Sequence, residues 1–155
     1  MIQIIDFRRN HFEGMVDCYR HGFPEGHNRY TLARLSKFQR DSIFLAVNDL
    51  NQVIGVLIGI TSAREAWFTA LTLLPNVGNP KQITFQLAYK LSNRLIELGF
   101  DEAFLTTERR SILRLVQRVE APHIEEIPNC YFDGKKRWVV TVNHSNLPKL
   151  IALMN

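Results

Sequence analysis

Cysteine is scarce in this chain of 155 residues, which has two, Cys18 and Cys130. They fall in different elements and form no motif. That excludes a disulfide framework and leaves reduced, packed thiols as the expected state. No apolar run is long enough to span a bilayer, and the N-terminus lacks the apolar core of a signal peptide. We therefore expect a cytoplasmic protein with no membrane partner. A Ser-His-Asp order, a P-loop and a dinucleotide-binding glycine fingerprint are also missing. So are internal repeats, low-complexity segments and linkers; residues 1–155 read as one domain, large enough to bury its own core. Charge is not concentrated either. There are 19 Lys and Arg against 15 Asp and Glu, for a net charge of +4. A solvated surface accounts for this balance, and a preference for a polyanionic ligand, such as a phosphorylated cofactor, is the next reading. Nucleic acid is disfavoured as a partner, because no basic stripe interleaved with aromatics appears.

What the sequence does have is an organising stretch at residues 67–100, WFTALTLLPNVGNPKQITFQLAYKLSNRLIELGF. Residues 67–74 are rich in Trp, Phe and Thr and are stopped by Pro75, which favours a β-strand. A turn of Pro, Gly and Asn leads into a long helix. Asn79 is a good N-cap, and Pro80 suits the first helical position, where its missing N–H costs nothing. Ile83, Leu87, Leu91, Leu95 and Leu98 recur on one face, and Gly99 follows as the C-cap. A strand feeding a helix N-terminus through a tight turn makes an anion site, since free N–H groups and the helix dipole both point into the turn. Asn79-Pro80 can equally be no more than a cap.

The rest of the chain falls into order around this stretch. Residues 2–7 read as a strand. Asn10 can cap a helix over 11–21 that turns Phe12, Met15, Val16 and Tyr19 to one side. After the polar loop GFPEGHNRYT, Thr31 can cap a second helix over 32–40. Residues 42–47 and 53–60 form a hairpin about Asn48-Asp49-Leu50-Asn51, and Gly55 and Gly59 in the return strand signal bulges or close backbone approach. Beyond the long helix come a strand over 102–106, a helix over 109–119, strands over 124–132 and 137–142 flanking Asp133-Gly134, and a short helix at 147–154. The order is β-α-α-β-β-β-α-β-α-β-β, an α/β chain. Short turns make strands two to four antiparallel, and the crossover helix makes strands four and five parallel. The expected architecture is a mixed sheet with helices on both faces.

This order, at this length, resembles the GCN5-related N-acetyltransferase (GNAT) superfamily. IFLAVNDLNQVIGVLIG looks like the family's second and third strands, LTLLP like the end of its fourth, the helix ending in Leu-Gly-Phe like its cofactor-side helix, and YFDGKKRWVVTV like its closing hairpin. The resemblance implies a GNAT-like acyl-CoA N-acyltransferase fold. It implies acetyl-CoA or another acyl-CoA as co-substrate, held where strands four and five splay, and an amine acceptor. No metal is expected. The family's pyrophosphate pattern, Gln/Arg-x-x-Gly-x-Gly/Ala, falls on Asn79, Pro80, Lys81, Gln82, Ile83 and Thr84. This chain departs from it: Gln82 and Thr84 stand where glycines would admit a phosphate to the backbone. Lys81 adds a positive charge there, and Gln82 and Thr84 could themselves donate hydrogen bonds. The family's Tyr acid falls near Val116, which cannot donate a proton. Arg109, at the start of that helix, could meet a CoA phosphate or simply be solvated.

The family mechanism would transfer the acyl group directly to an amine in a ternary complex. A backbone N–H at Leu73 or Leu74 would hold the oxyanion. Glu25 and His27, in the loop that lines the acceptor side in this family, are the candidate bases, and a solvated loop is the bland reading of both. Glu65 lies at the far end of strand four, and Thr69 or Thr72 could hold a water. Cys18 and His21 have metal-ligand spacing but no second ligand pair, so a packed thiol and a surface histidine are the plainer reading. Missing glycines and a missing Tyr leave a catalytically inactive GNAT-fold binding or interaction module as the alternative. The closing hairpin and last helix could form a homodimer face or belong to the core.

Overall fold

Short runs of β-branched and aromatic residues, punctuated by Asn and Gly turns, build the sheet. The computed structural model describes residues 1–107, 114, 123–130 and 134–143. In chain order these give β1 (Gln3–Asp6), α1 (Phe12–Gly22), α2 (Arg29–Phe38), β2 (Ile43–Val47), β3 (Val53–Thr61), β4 (Ala66–Leu73), α3 (Pro80–Glu97), β5 (Glu102–Thr107), β6 (His123–Ile127) and β7 (Arg137–Asn143). One mixed sheet runs β1-β2-β3-β4-β5-β7-β6. Its only parallel pair among the described residues is β4 with β5, as a crossover through α3 requires. Of the helix expected over 109–119 only Arg114 is described, and it is helical; the Asp133 half of the last turn and the terminal helix at 147–154 lie outside the described residues.

Each sheet face carries its own core, and successive strand residues alternate between the two. On one face α1 and α2 bring Met15, Val16, Cys18, Tyr19 and Leu32 onto Leu45, Val56 and Ile58. On the other, α3 lays Ile83, Leu87, Leu91 and Leu95 across Phe44, Ala46 and Leu57. Burying such a side chain stabilises the fold by roughly 1.5–3 kcal/mol each. Leu98 does not join this stripe and is 44% exposed, because α3 has already ended at Glu97. Gly99 then takes a left-handed φ of +93°, and Phe100 N–H donates to Leu95 O at 2.9 Å. The glycines of β3 mark close approach: a Cβ at Gly59 would lie 3.0 Å from both Leu91 methyls, and one at Gly55 2.7 Å from Leu73 Cδ2.

Most strand ends fall within a residue of the sequence expectation, and three boundaries that differ show why. Residues Arg9–His11 form a 3-10 turn, so α1 starts at Phe12 without a side-chain cap from Asn10. Helix α2 begins one turn early, because Asn28 rather than Thr31 is its N-cap; its Oδ1 accepts from Thr31 N–H at 2.9 Å. Strand β6 ends at Ile127, since Pro128 has no N–H to pair and Asn129 turns left-handed at φ 51°.

Candidate functional site

The geometry of the site begins with one extra residue in β4. Ile58 pairs with Ala70 and Gly59 with Phe68, which leaves Thr69 as a bulge. Its hydroxyl donates to Ile58 O at 2.9 Å and pins the bulge in place. Pairing between β4 and β5 stops at the same point. Trp67 faces Phe104 and Phe68 faces Leu105, and the register goes no further. Beyond it β4 stays with β3 as far as Leu73, while β5 stays with β7 as far as Thr107. The two strands therefore diverge as a V. Its closed end is packed by Trp67 and Phe104, whose ring centroids are 5.0 Å apart. Glu65 is at that closed end, accepting the Trp67 indole N–H at 3.1 Å.

Along the open arm of the V, backbone direction decides which groups face the gap. Leu74 N–H donates to Ile54 O at 2.8 Å, so it is committed to β3. Leu73 lies opposite Gly55, one step earlier in an antiparallel ladder, and its peptide groups point the other way, toward the gap. Leu71, two residues back, points the same way, and its side chain is 37% exposed. Thr72 turns its side chain to the other face, beneath the end of α1. A Cβ at Gly22 would lie 2.2 Å from Thr72 Oγ1, so glycine alone lets α1 sit this close. Thr69 and Thr72 are thus both taken up by the fold.

At the start of α3, the helix N-terminus is closed by its own cap. Asn79 adopts φ 54° and ψ 60°, accepts Gln82 N–H on its side chain at 3.4 Å, and donates to Gln82 Oε1 at 2.7 Å. Ile83 N–H reaches Asn79 O at 3.3 Å. Pro80 has no N–H, which leaves Lys81, itself exposed, to offer an uncapped amide. Ile83 points into the core, and Thr84 is half-buried on the next turn. The turn residues Asn76 and Gly78 are exposed, and a Cβ at Gly78 would meet nothing within 4 Å.

On the α1 face, the loop carrying Glu25 and His27 leaves α1 at Gly22, directly above β4. Phe23 and Leu74 pack on the same apolar cluster, so this loop and the end of β4 share one base. Both Glu25 and His27 are exposed. Cys18 and His21 do not converge: Cys18 is buried against β4 and His21 is exposed. Burial pushes the Cys18 thiol up to about 12, so it stays protonated and packs as a small apolar group. Arg109 lies outside the described residues. The signal missed in the sequence is Thr69. A β-branched residue inside an apolar strand gives no sign that it is unpaired.

This splayed sheet, covered by α1 and α2 on one face and α3 on the other, is the fold of the GNAT acetyltransferases. The sequence itself matches no family model and no curated protein. Solved structures do match. A chain of the NatC complex bound to Gag peptide and CoA superposes with a TM-score of 0.76 at 13% identity, over 92% of this chain and 98% of that one. Diaminobutyrate acetyltransferase EctA from Paenibacillus lautus, in complex with its substrate L-2,4-diaminobutyric acid and coenzyme A, gives 0.73 at 12%, over 92% and 95%. A GNAT superfamily phosphinothricin acetyltransferase from Sinorhizobium meliloti, in complex with AcCoA, gives 0.71 at 15%, over 92% and 88%. At these identities the likeness is one of fold.

Proposed function

We propose that this protein is an acyl-CoA-dependent N-acyltransferase that transfers an acetyl group from acetyl-CoA to an amine. The observation that carries the reading is the V between β4 and β5 beyond the Thr69 bulge, into which the peptide groups of Leu71 and Leu73 point without a strand partner among the described residues. Open strand edges of this kind suit an extended amide-bearing arm, which can hydrogen-bond to them like an added strand. The pantetheine of CoA is such an arm. Leu73 N–H is the oxyanion donor we favour over Leu74, whose amide would first have to release Ile54. The thioester supplies an activated acyl group, and a base on the α1 side takes the proton of the attacking amine.

The phosphate end fits less readily. The Asn79–Gln82 clasp lies across the α3 N-terminus. Binding there would draw on the Lys81 amide and ammonium first, and on the Gln82, Ile83 and Thr84 positions once the clasp opens. Arg109 remains a candidate phosphate contact. The NatC structure contains a peptide and the EctA structure a diamino acid substrate, so both kinds of amine belong in the test of the acceptor. Calorimetry with CoA and acetyl-CoA, followed by turnover against a panel of amines and peptide N-termini, tests the proposal. Binding with turnover supports it; no binding at millimolar ligand would remove it.

A further inference from the structure

The loop between α1 and α2 is built around one buried residue, Tyr19. Tyr19 is buried at 3% exposure, yet its hydroxyl reaches the loop and accepts the His27 backbone N–H at 3.1 Å. The His27 imidazole stacks on the Tyr19 ring, with centroids 6.2 Å apart and planes within 13°. Phe23 also stacks on Tyr19, at 5.0 Å. Gly26 N–H donates to Phe23 O at 3.0 Å, and a Cβ at Gly26 would lie 2.5 Å from the Tyr19 hydroxyl. Only glycine lets the loop close over that oxygen. One residue beyond His27, Asn28 is fixed as the cap of α2. His27 is therefore held on both sides, yet as a residue it stays exposed. Glu25 sits in the turn between Phe23 and Gly26 with no such anchor.

We propose that His27 is the group that takes the amine proton, and that Tyr19 is the positioning residue that aims it at the open end of β4. This rests on the acyltransfer reading above. The frame supports it: Tyr19 sits on α1, α1 is seated on Thr72 through Gly22, and Phe23 shares an apolar cluster with Leu74. In the step itself the amine nitrogen bonds to the acyl carbon and its proton passes to the His27 imidazole. The C–S electron pair leaves with the thiolate sulfur, which is protonated from water, and the imidazolium returns its proton to water. Anchoring the loop beforehand removes the cost of finding this geometry in each turnover.

The test compares wild type, His27→Ala, Tyr19→Phe and the double variant, using acetyl-CoA and the best amine of the panel. His27→Ala should lower kcat about 100-fold with the KM for acetyl-CoA unchanged, and added imidazole should restore part of the rate. Tyr19→Phe keeps the ring but loses the acceptor oxygen. It should cost about tenfold in wild type and nothing further in the His27→Ala background, because it acts only through His27. An equal cost in both backgrounds would assign Tyr19 to the fold and overturn its positioning role. A His27→Ala variant as active as wild type overturns the proposal while leaving acyltransfer intact. A wild type without turnover removes both. If Tyr19→Phe fails to fold, imidazole rescue of His27→Ala still decides the role of His27.

Discussion

The two sides of β4's free end are finished differently. On the α1 face every joint is made: Gly22 is seated on Thr72, Tyr19 holds the His27 amide, Asn28 caps α2, and Arg29 pairs with Glu13. On the other side, the edge of β4 beyond Phe68 has no strand partner among the described residues, and the α3 N-terminus answers the Gln82 and Ile83 amides through Asn79 while leaving that of Lys81. If the proposed acyltransfer is right, with the acceptor on the α1 side and acyl-CoA on the other, ligand binding should reorganise the α3 face and leave the α1 face almost still. Changing one side should therefore leave the other unmoved.

The largest effect is expected at the open edge. Replacing the Leu73 N–H with an ester oxygen, by semisynthesis, removes a donor that has no partner in β3. We expect kcat to fall by roughly 100-fold to 1,000-fold, the usual cost of one oxyanion donor, with thermal stability almost unchanged. The same replacement at Leu74 breaks its bond to Ile54 O instead. It should cost about 1 kcal/mol of stability in urea unfolding and leave kcat near wild type. If the two positions exchange these outcomes, the assignment of the gap-facing amide is wrong.

That contrast also marks where sequence reading stopped. The periodicity of α3 was plain, because Ile83, Leu87, Leu91 and Leu95 repeat at helical spacing and Asn79-Pro80 announces the start. The antiparallel run β2 to β4 and the parallel β4–β5 pair followed from connection lengths. Direction along a strand edge was not legible. Leu73 and Leu74 are identical side chains, and only the register set by the Thr69 bulge tells one amide from the other. Nor could local pattern show that Asn28 would outcompete Thr31 as a cap, since both residue types suit that role. The clasp between Asn79 and Gln82 was half visible: the cap was expected, the reciprocal side-chain bond was not.

A smaller effect is expected from opening that clasp. Gln82→Gly removes the side chain that receives the Asn79 Nδ2–H and so loosens the clasp, leaving the residue-82 amide held only by the long bond to Asn79 Oδ1. CoA affinity measured by calorimetry should rise about tenfold, or roughly 1.4 kcal/mol, for a loss of helix stability under about 1 kcal/mol. His27 chemistry should be untouched, so kcat at saturating acetyl-CoA should stay within about twofold of wild type. Weaker CoA binding in the variant would instead make the Gln82 side chain a ligand in its own right, and the α3 face would then be finished in advance like the α1 face.

The smallest effect concerns the outermost joint of the α1 side. Glu13 on α1 pairs through both carboxylate oxygens with the Arg29 guanidinium at the start of α2. That hydrogen bonding, helped by the charge of Arg29, lowers the Glu13 pKa from its ordinary 4.5. A folded-state pKa below the unfolded one gives stability that is present above about pH 4.5 and lost as pH falls through the folded value. Both side chains are more than half exposed, so solvent and salt screen the pair and its contribution is small. We expect the Glu13 carboxyl to titrate below 4.5 by NMR and to return to the ordinary value in Arg29→Gln. The difference in urea midpoint between wild type and Glu13→Gln should shrink in high salt and vanish at low pH. Activity should scarcely change, because Tyr19 and Asn28 hold the loop from inside this joint. A fall in kcat comparable with that of Tyr19→Phe would show that the α1 side depends on its surface ion pair, and that its internal anchors do not suffice.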